Sequence, residues 1–260
     1  MRHFVLPPEY TAFGRHTLSG ENFHYLCRVR RYAAGDLFDA TDGSGGVYRC
    51  SVLELTDSSC TIEVAAASAG RTVTGDARAP QQTVTITLFQ ALPKGRKLEQ
   101  IIRQTTETGV ARIVPFSSRF CVAEAVSGQR LYAKLQRWRT IARQAVQQCG
   151  STLVPAIEAP IELEQIPAVG GAFDLGLLFH QQPLAQQTLH GYLEHGPQRV
   201  AIVIGAEGGL ADEEIDFLCR ARGFHPAHLG PTVLRSETAA LYAVAAVQTI
   251  VREIETWSKS

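Results

Sequence analysis

No stretch of this 260-residue chain approaches the ~18 consecutive apolar residues that a membrane-spanning helix needs. The opening Met1-Arg-His-Phe-Val-Leu-Pro-Pro-Glu9 lacks the apolar core of a secretory signal, so a cytoplasmic location is expected. Cys-x-x-Cys is absent, and none of the six cysteines stands at zinc-finger spacing to a histidine. Structural disulfides are therefore disfavoured and no metal is expected. In a reducing compartment the thiols are read as small, mostly buried apolar residues. Neither Gly-x-Gly-x-x-Gly nor Gly-Lys-Ser/Thr occurs, which argues against a standard dinucleotide or nucleoside-triphosphate site. No catalytic triad, internal repeat or low-complexity tract is evident. Net charge is missing too, with 25 Lys/Arg against 25 Asp/Glu.

That balance conceals an uneven distribution. Residues 1–75 carry seven Lys/Arg and eight Asp/Glu, residues 76–160 carry twelve and five, and residues 161–260 carry six and twelve. The middle third could thus offer a phosphate-facing surface, or a solvated face balanced by an acidic neighbour. With 45% hydrophobic and 19% charged residues, the chain can bury a core and disorder is disfavoured.

Two rhythms divide the chain. Asp36–Asp42, Val47–Leu55 and Cys60–Ala65 alternate apolar and polar residues, with Asp42-Gly-Ser-Gly-Gly46 as a turn, so a small β-barrel is expected. Ser68–Gln82 reads as a linker. Beyond it, strands at 83–92, 110–116, 173–179 and 199–204 alternate with helical patterns over 98–105, 131–149, 211–221 and 236–255. This alternation predicts an α/β domain with a largely parallel sheet. The domain boundary is placed at 1–72 and 73–260. The last helical pattern is apolar almost all round, so it must be buried on more than one side, by dimerisation or by central packing.

The chemistry is placed near the end of the chain. Ile204-Gly-Ala-Glu-Gly-Gly209 and Leu229-Gly-Pro-Thr-Val-Leu-Arg-Ser-Glu-Thr-Ala-Ala240 each follow an apolar run and open into a helical pattern. Glycines there let backbone amides approach a ligand, although a tight turn alone would also use them. Glu207 suits either a ligand contact or an exposed helix start. Ser236-Glu-Thr reads equally as a helix cap. Lys94-Gly-Arg-Lys97 lies between a strand and a helix, where cations suit an anionic ligand or simply solvent. Arg130, Lys134 and Arg137 share one helix face, and Arg28, Arg30 and Arg31 form a cluster in the first domain. Three basic clusters favour a polyanionic partner more than any one does. His180 ends a strand, where it either points into a crevice or sits on the surface.

These residues resemble the ribosomal RNA small subunit methyltransferase E family, the 16S rRNA uridine-N3 methyltransferases of the SPOUT superfamily. The likeness rests on Met1-Arg-His-Phe4, His24-Tyr-Leu-Cys-Arg-Val-Arg-Arg31, Gln90-Ala-Leu-Pro-Lys-Gly-Arg-Lys-Leu-Glu99 and Thr106-Glu-Thr-Gly-Val110. It rests equally on Ile113-Val-Pro-Phe116, Ala145-Val-Gln-Gln-Cys-Gly150 and both glycine turns. The resemblance implies a PUA-like RNA-binding barrel and a SPOUT domain with a C-terminal trefoil knot. It further implies S-adenosylmethionine (SAM) as cofactor, a homodimer, and 16S rRNA in the 30S subunit as partner. By matching positions, the cofactor would meet Leu178, Phe179, His180, Gly205, Glu207, Gly208, Gly209, Leu229, Gly230, Leu234, Ser236, Thr238 and Ala239. Arg235 and Glu237 match the family's polar pair beside that pocket and are the expected catalytic residues. RNA contacts are expected from Arg2, Arg28, Arg30, Arg31, Lys94, Arg96, Lys97, Arg130, Lys134 and Arg137.

Two positions depart from the family pattern. Ala206 stands where proline is usual, and Ala211 replaces a serine that would form a capping box with Glu214, at a cost of roughly 1 kcal/mol. Uracil N3 becomes a nucleophile only after losing its proton, so a fixed cation near O2 or O4 would stabilise the anion. Arg235 is assigned that role and Glu237 the organisation of the pocket, while no base is evident. The alternatives are the same chemistry on tRNA, a non-catalytic RNA-binding or ribosome-assembly protein, and a small-molecule enzyme. The near-complete glycine turns favour catalysis over a vestigial pocket.

Overall fold

The computed structural model describes residues 4–7, 13–66, 84–122, 127–182, 184 and 187–257. Arg2 and the linker read at 68–82 lie outside them. The chain divides into two compact units, Met1–Gln81 with Val146–Val154, and Gln82–Ala145 with Pro155–Ser260.

The first unit is a curled five-stranded sheet of β1 (Phe4–Val5), β2 (Gly14–Ser19), β3 (Leu37–Thr41), β4 (Val47–Leu55) and β5 (Ser59–Ala66). Its order is β1-β3-β4-β5-β2, antiparallel except for β1 beside β3. The end strands β1 and β2 are not paired with each other among the described residues. Alternation places Phe38, Ala40, Cys50, Val52, Ile62 and Val64 inside. Helix α1 (Gly20–Phe23) continues as a π-helical turn to Val29 and adds Phe23 and Leu26 to that core. Arg31, at φ 60°, takes the left-handed position after the helix that usually belongs to glycine. Residues 146–154 complete the unit: the Thr41 hydroxyl donates to the Thr152 carbonyl at 2.9 Å, and the Val154 N–H donates to the Gly43 carbonyl at 2.8 Å.

In the second unit every strand pair is parallel. The elements are β6 (Thr85–Ala91), α2 (Lys97–Glu107), β7 (Arg112–Ser117), α3 (Gly128–Cys149), β8 (Ala156–Ile157), β9 (Ile161–Glu162) and β10 (Leu175–Phe179), then α4 (Leu189–Leu193), β11 (Arg199–Ile204), α5 (Asp212–Asp216), β12 (His225–Ala227) and α6 (Ser236–Trp257). The sheet order is β12-β10-β11-β6-β7-β8, with β9 also on β7. Leu98, Ile101, Ile102 and Thr105 form the buried face of α2, and Gly109, at φ 89°, follows its end. One sheet face carries a core of Phe89, Val114, Phe173, Leu178, Val203 and Leu218. On the other, α6 packs against β6, β11, α2 and α4, which buries Ala240, Ala243, Val244 and Val247, while Tyr242 stays exposed.

Order along the sheet reverses at β10, because β11 lies on one side of it and β12 returns to the other. A crevice outside the carboxyl ends of strands at such a reversal is where open α/β sheets bind ligands. Among the described residues, no helix is long and apolar enough to cross a membrane.

Candidate functional site

Four loops leave the carboxyl ends of β6, β10, β11 and β12 and enclose a cavity of about 380 Å³. Its wall includes Phe179, His180, Gly205, Glu207, Gly209, Leu229, Gly230, Leu234, Arg235, Ser236 and Ala239, so two loops distant in sequence do meet. Both glycine turns have physical reasons for glycine. A Cβ at Gly205 would lie 2.8 Å from the Gly209 carbonyl carbon, and Gly230 adopts φ 122°. Among the described residues, the amides of Leu229, Thr232, Val233 and Leu234 find no protein acceptor. All four residues line the cavity.

The sequence reading did not include Gln90 among the site residues. Its amide nitrogen donates to the Ala91 carbonyl at 3.0 Å, the Gly205 carbonyl at 3.3 Å and Ser236 Oγ at 2.9 Å. Ser236 Oγ in turn donates to the Gly205 carbonyl at 3.0 Å. One fully buried side chain on β6 thus ties the first glycine turn to the start of α6. Gln90 Oε1 is buried without a partner in the protein.

Glu207 holds a second junction. Its Oε1 accepts from Lys97 Nζ at 2.7 Å and from the Lys94 N–H at 3.2 Å. Partial burial pushes this carboxyl up, but those hydrogen bonds outweigh it and hold it below the usual carboxylate range. The same hydrogen bond raises Lys97. Lys97, expected to contact RNA, lines the cavity, while Lys94 and Arg96 are exposed. Burial lowers His180, an effect opposed by Asp212. Its Nδ1 accepts the Gln182 N–H at 3.1 Å, so the neutral ring carries its proton on Nε2.

Four expected cofactor or catalytic residues stand outside the cavity wall. Leu178 belongs to the core beneath it, as strand alternation from Phe179 requires. Gly208 faces Phe120 instead. On α6, Ser236 and Ala239 share a face, which leaves exposed Thr238 and buried Glu237 on others. Glu237 Oε2 is buried and unpartnered, whereas exposed Arg235 makes no ion pair among the described residues.

The expected RNA contacts fall in both units. On α3, Arg130 and Lys134 are exposed, but Arg137 is held by Glu99 at 2.8 Å. Arg28 lies over the Phe23 ring, and Arg30 donates to the Tyr32 hydroxyl at 3.1 Å. Only half of the capping box at α5 is lost. The Glu214 carboxylate still accepts the Ala211 N–H at 2.8 Å, while the alanine offers no acceptor in return.

Residues 80–248 match the model of an RNA methyltransferase domain, and residues 18–65 match that of an RNA methyltransferase PUA domain. Ribosomal RNA small subunit methyltransferase E of Synechocystis sp. is 32% identical over 250 residues, covering 95% of this chain and 77% of the relative. The chain belongs to the ribosomal RNA small subunit methyltransferase E family. The family's Bacillus subtilis member is 27% identical, with 89% of this chain and 88% of that one covered. Among solved structures, the family member from Neisseria gonorrhoeae, bound to SAM, aligns with TM-score 0.77 at 26% identity, covering 96% and 98% of the two chains. A Legionella pneumophila protein with bound SAM aligns with TM-score 0.79 at 29% identity, over 95% and 97%.

Proposed function

We propose that this chain is a cytoplasmic SAM-dependent methyltransferase. It modifies N3 of one uridine in 16S rRNA on the assembled 30S subunit and works as a homodimer whose C-terminal segment forms a trefoil knot. The observation that carries the reading is the cavity between the two glycine turns, with Arg235 in its wall and outside every ion pair among the described residues. Two family members or likenesses of this fold hold SAM. The residues here suit the same group: the amides of Leu229, Thr232, Val233 and Leu234, which find no protein acceptor among the described residues, are available to the acceptors of an adenosine, and Phe179, Leu229 and Leu234 offer apolar contact.

When bound, SAM supplies a methyl group on a cationic sulfur. The chain's own residues would do the rest. Gln90 and Ser236 hold the Gly205 turn and the start of α6 at a fixed spacing. Glu207 neutralises Lys97 at the cavity wall and fastens the loop before α2. Exposed Arg235 stabilises negative charge developing on a uracil oxygen once N3 is deprotonated. Glu237 organises the turn that presents it. The exposed cations Lys94, Arg96, Arg130 and Lys134 attract the phosphate backbone.

Calorimetric titration of the purified chain with SAM, and with ATP as control, tests the site. Saturable binding of SAM alone is expected. Failure to bind SAM would remove the cavity from the reaction.

A further inference from the structure

Beyond the cavity wall, the loop after β7 carries an exposed ring in an unusual position. Phe120 is 44% exposed, and Val122 beside it is 65% exposed. Single exposed apolar residues are ordinary, so exposure alone decides nothing. The placement of this one is specific. A Cβ on Gly208 would lie 2.8 Å from Phe120 Cβ, so the phenylalanine sits directly on the glycine turn whose neighbours line the cavity.

The loop is fixed rather than loosely draped. The Cys121 N–H donates to the Ser118 carbonyl at 2.9 Å, closing a tight turn. The Arg119 N–H donates to Glu214 Oε1 at 2.7 Å, and its guanidinium donates to Glu213 at 3.2 Å. The basic loop after β6 is held to the adjacent residue of the same turn, through Lys94 and Lys97 on Glu207. Phe120 and the loop that carries exposed Lys94 and Arg96 thus meet adjacent residues of one turn, Gly208 and Glu207.

We propose that Phe120 is the platform on which a nucleobase of the substrate RNA stacks beside the transfer site. This rests on the reading of the chain as an RNA methyltransferase. Proteins that act on single-stranded RNA stack splayed bases on aromatic side chains, with cations tracking the phosphates. Phe120 supplies the ring, and Lys94 and Arg96 supply the charge.

The test compares wild type with Phe120→Ala and Phe120→Trp. Methyl transfer to 30S subunits gives KM and kcat, SAM titration gives cofactor affinity, and the emission of Phe120→Trp in excess of wild type, whose Trp138 and Trp257 set the background, is followed as oligouridine RNA is added. Loss of a stacked base is worth roughly 5- to 150-fold, so Phe120→Ala should raise the KM for RNA by that factor. SAM affinity should be unchanged, and Phe120→Trp should restore the KM and be quenched by RNA. Wild-type KM in Phe120→Ala with no quenching in Phe120→Trp would overturn the proposal while leaving the enzyme reading intact. If wild type methylates no RNA, that reading fails, and quenching alone decides whether Phe120 stacks. A fall in sedimentation coefficient on Phe120→Ala without quenching would make the ring a protein contact and also overturn it.

Discussion

Adding one methyl group at Gly205 should disable the cofactor site, and the geometry says by how much. The new Cβ would lie 2.8 Å from the Gly209 carbonyl carbon and 3.0 Å from both its Cα and its oxygen. These are backbone atoms of the same turn, so no side-chain rotation relieves the clash. Overpacking of this kind costs about 1–3 kcal/mol. The free protein can absorb the strain, lowering Tm by roughly 2–12 °C for a chain of this size. Alternatively the turn relaxes, and binding must force it back at roughly 5- to 150-fold in Kd for SAM. The two losses share one clash energy, so a variant with a small Tm change should show the larger affinity loss. Scanning calorimetry and titration with SAM measure both. Gly196→Ala is the control, because Gly196 has positive φ (62°), which strains an alanine there, while nothing lies near its Cβ and it does not line the cavity. It should cost stability without affecting SAM. Wild-type Tm together with wild-type SAM affinity in Gly205→Ala would refute the reasoning.

Other consequences are cheaper to check. Glu207 has a depressed carboxyl, so its ion pair with Lys97 stabilises the fold above the ordinary carboxylate range and the benefit is lost as pH falls through the folded-state value. The stability gap between wild type and Glu207→Gln should therefore be widest near neutral pH and close on acidification, as read by denaturant midpoints; a gap independent of pH would contradict this. Arg235→Ala should retain SAM binding yet lose about 10²–10³-fold in kcat, and turnover at the wild-type rate would exclude its charge-stabilising role. Burial pushes the Cys50 and Cys60 thiols up to about 12, whereas Cys149 is exposed. Under native conditions at neutral pH a thiol reagent should label Cys149 well before Cys50 or Cys60, with peptide mass spectrometry identifying the sites; early labelling of Cys50 would count against the buried core.

Much of the second unit was legible because its signals are local. Leu98, Ile101, Ile102 and Thr105 recur at helical spacing, and all face inward. Arg199–Ile204 is a continuous apolar run and is a strand over that same range. Other features needed the fold. β12 contains Pro226, which argues against a central strand, yet it is tolerated here because β12 lies at the sheet edge. The strand expected from Phe173 begins at Leu175, since Phe173 turns aside to pack edge-on against Phe89, 5.8 Å between ring centroids. The helical pattern at 211–221 is an α-helix to Asp216 and a π-helical turn beyond it. In the first unit the alternating pattern signals strands, and the helix over Gly20–Val29, with Phe23 and Leu26 on one face, is too short to stand out against it. The cysteines proved less uniformly buried than expected, with only Cys50 and Cys60 fully enclosed.

The site itself divides in the same way. Glycine turns at strand ends marked its location. Gln90 could not be identified, because its partners Gly205 and Ser236 lie 115 and 146 residues away. The charge of Lys97 is visible in the sequence, but its partner Glu207 lies 110 residues away, so its place at the cavity is not.

The most direct test of the account is transfer of labelled methyl from SAM to 30S subunits, naked 16S rRNA and tRNA, with nucleoside mass spectrometry of each product. The account predicts 3-methyluridine in 16S rRNA, formed best on 30S subunits and lost in Arg235→Ala. Label confined to tRNA, or a methylated nucleoside other than 3-methyluridine, would contradict it.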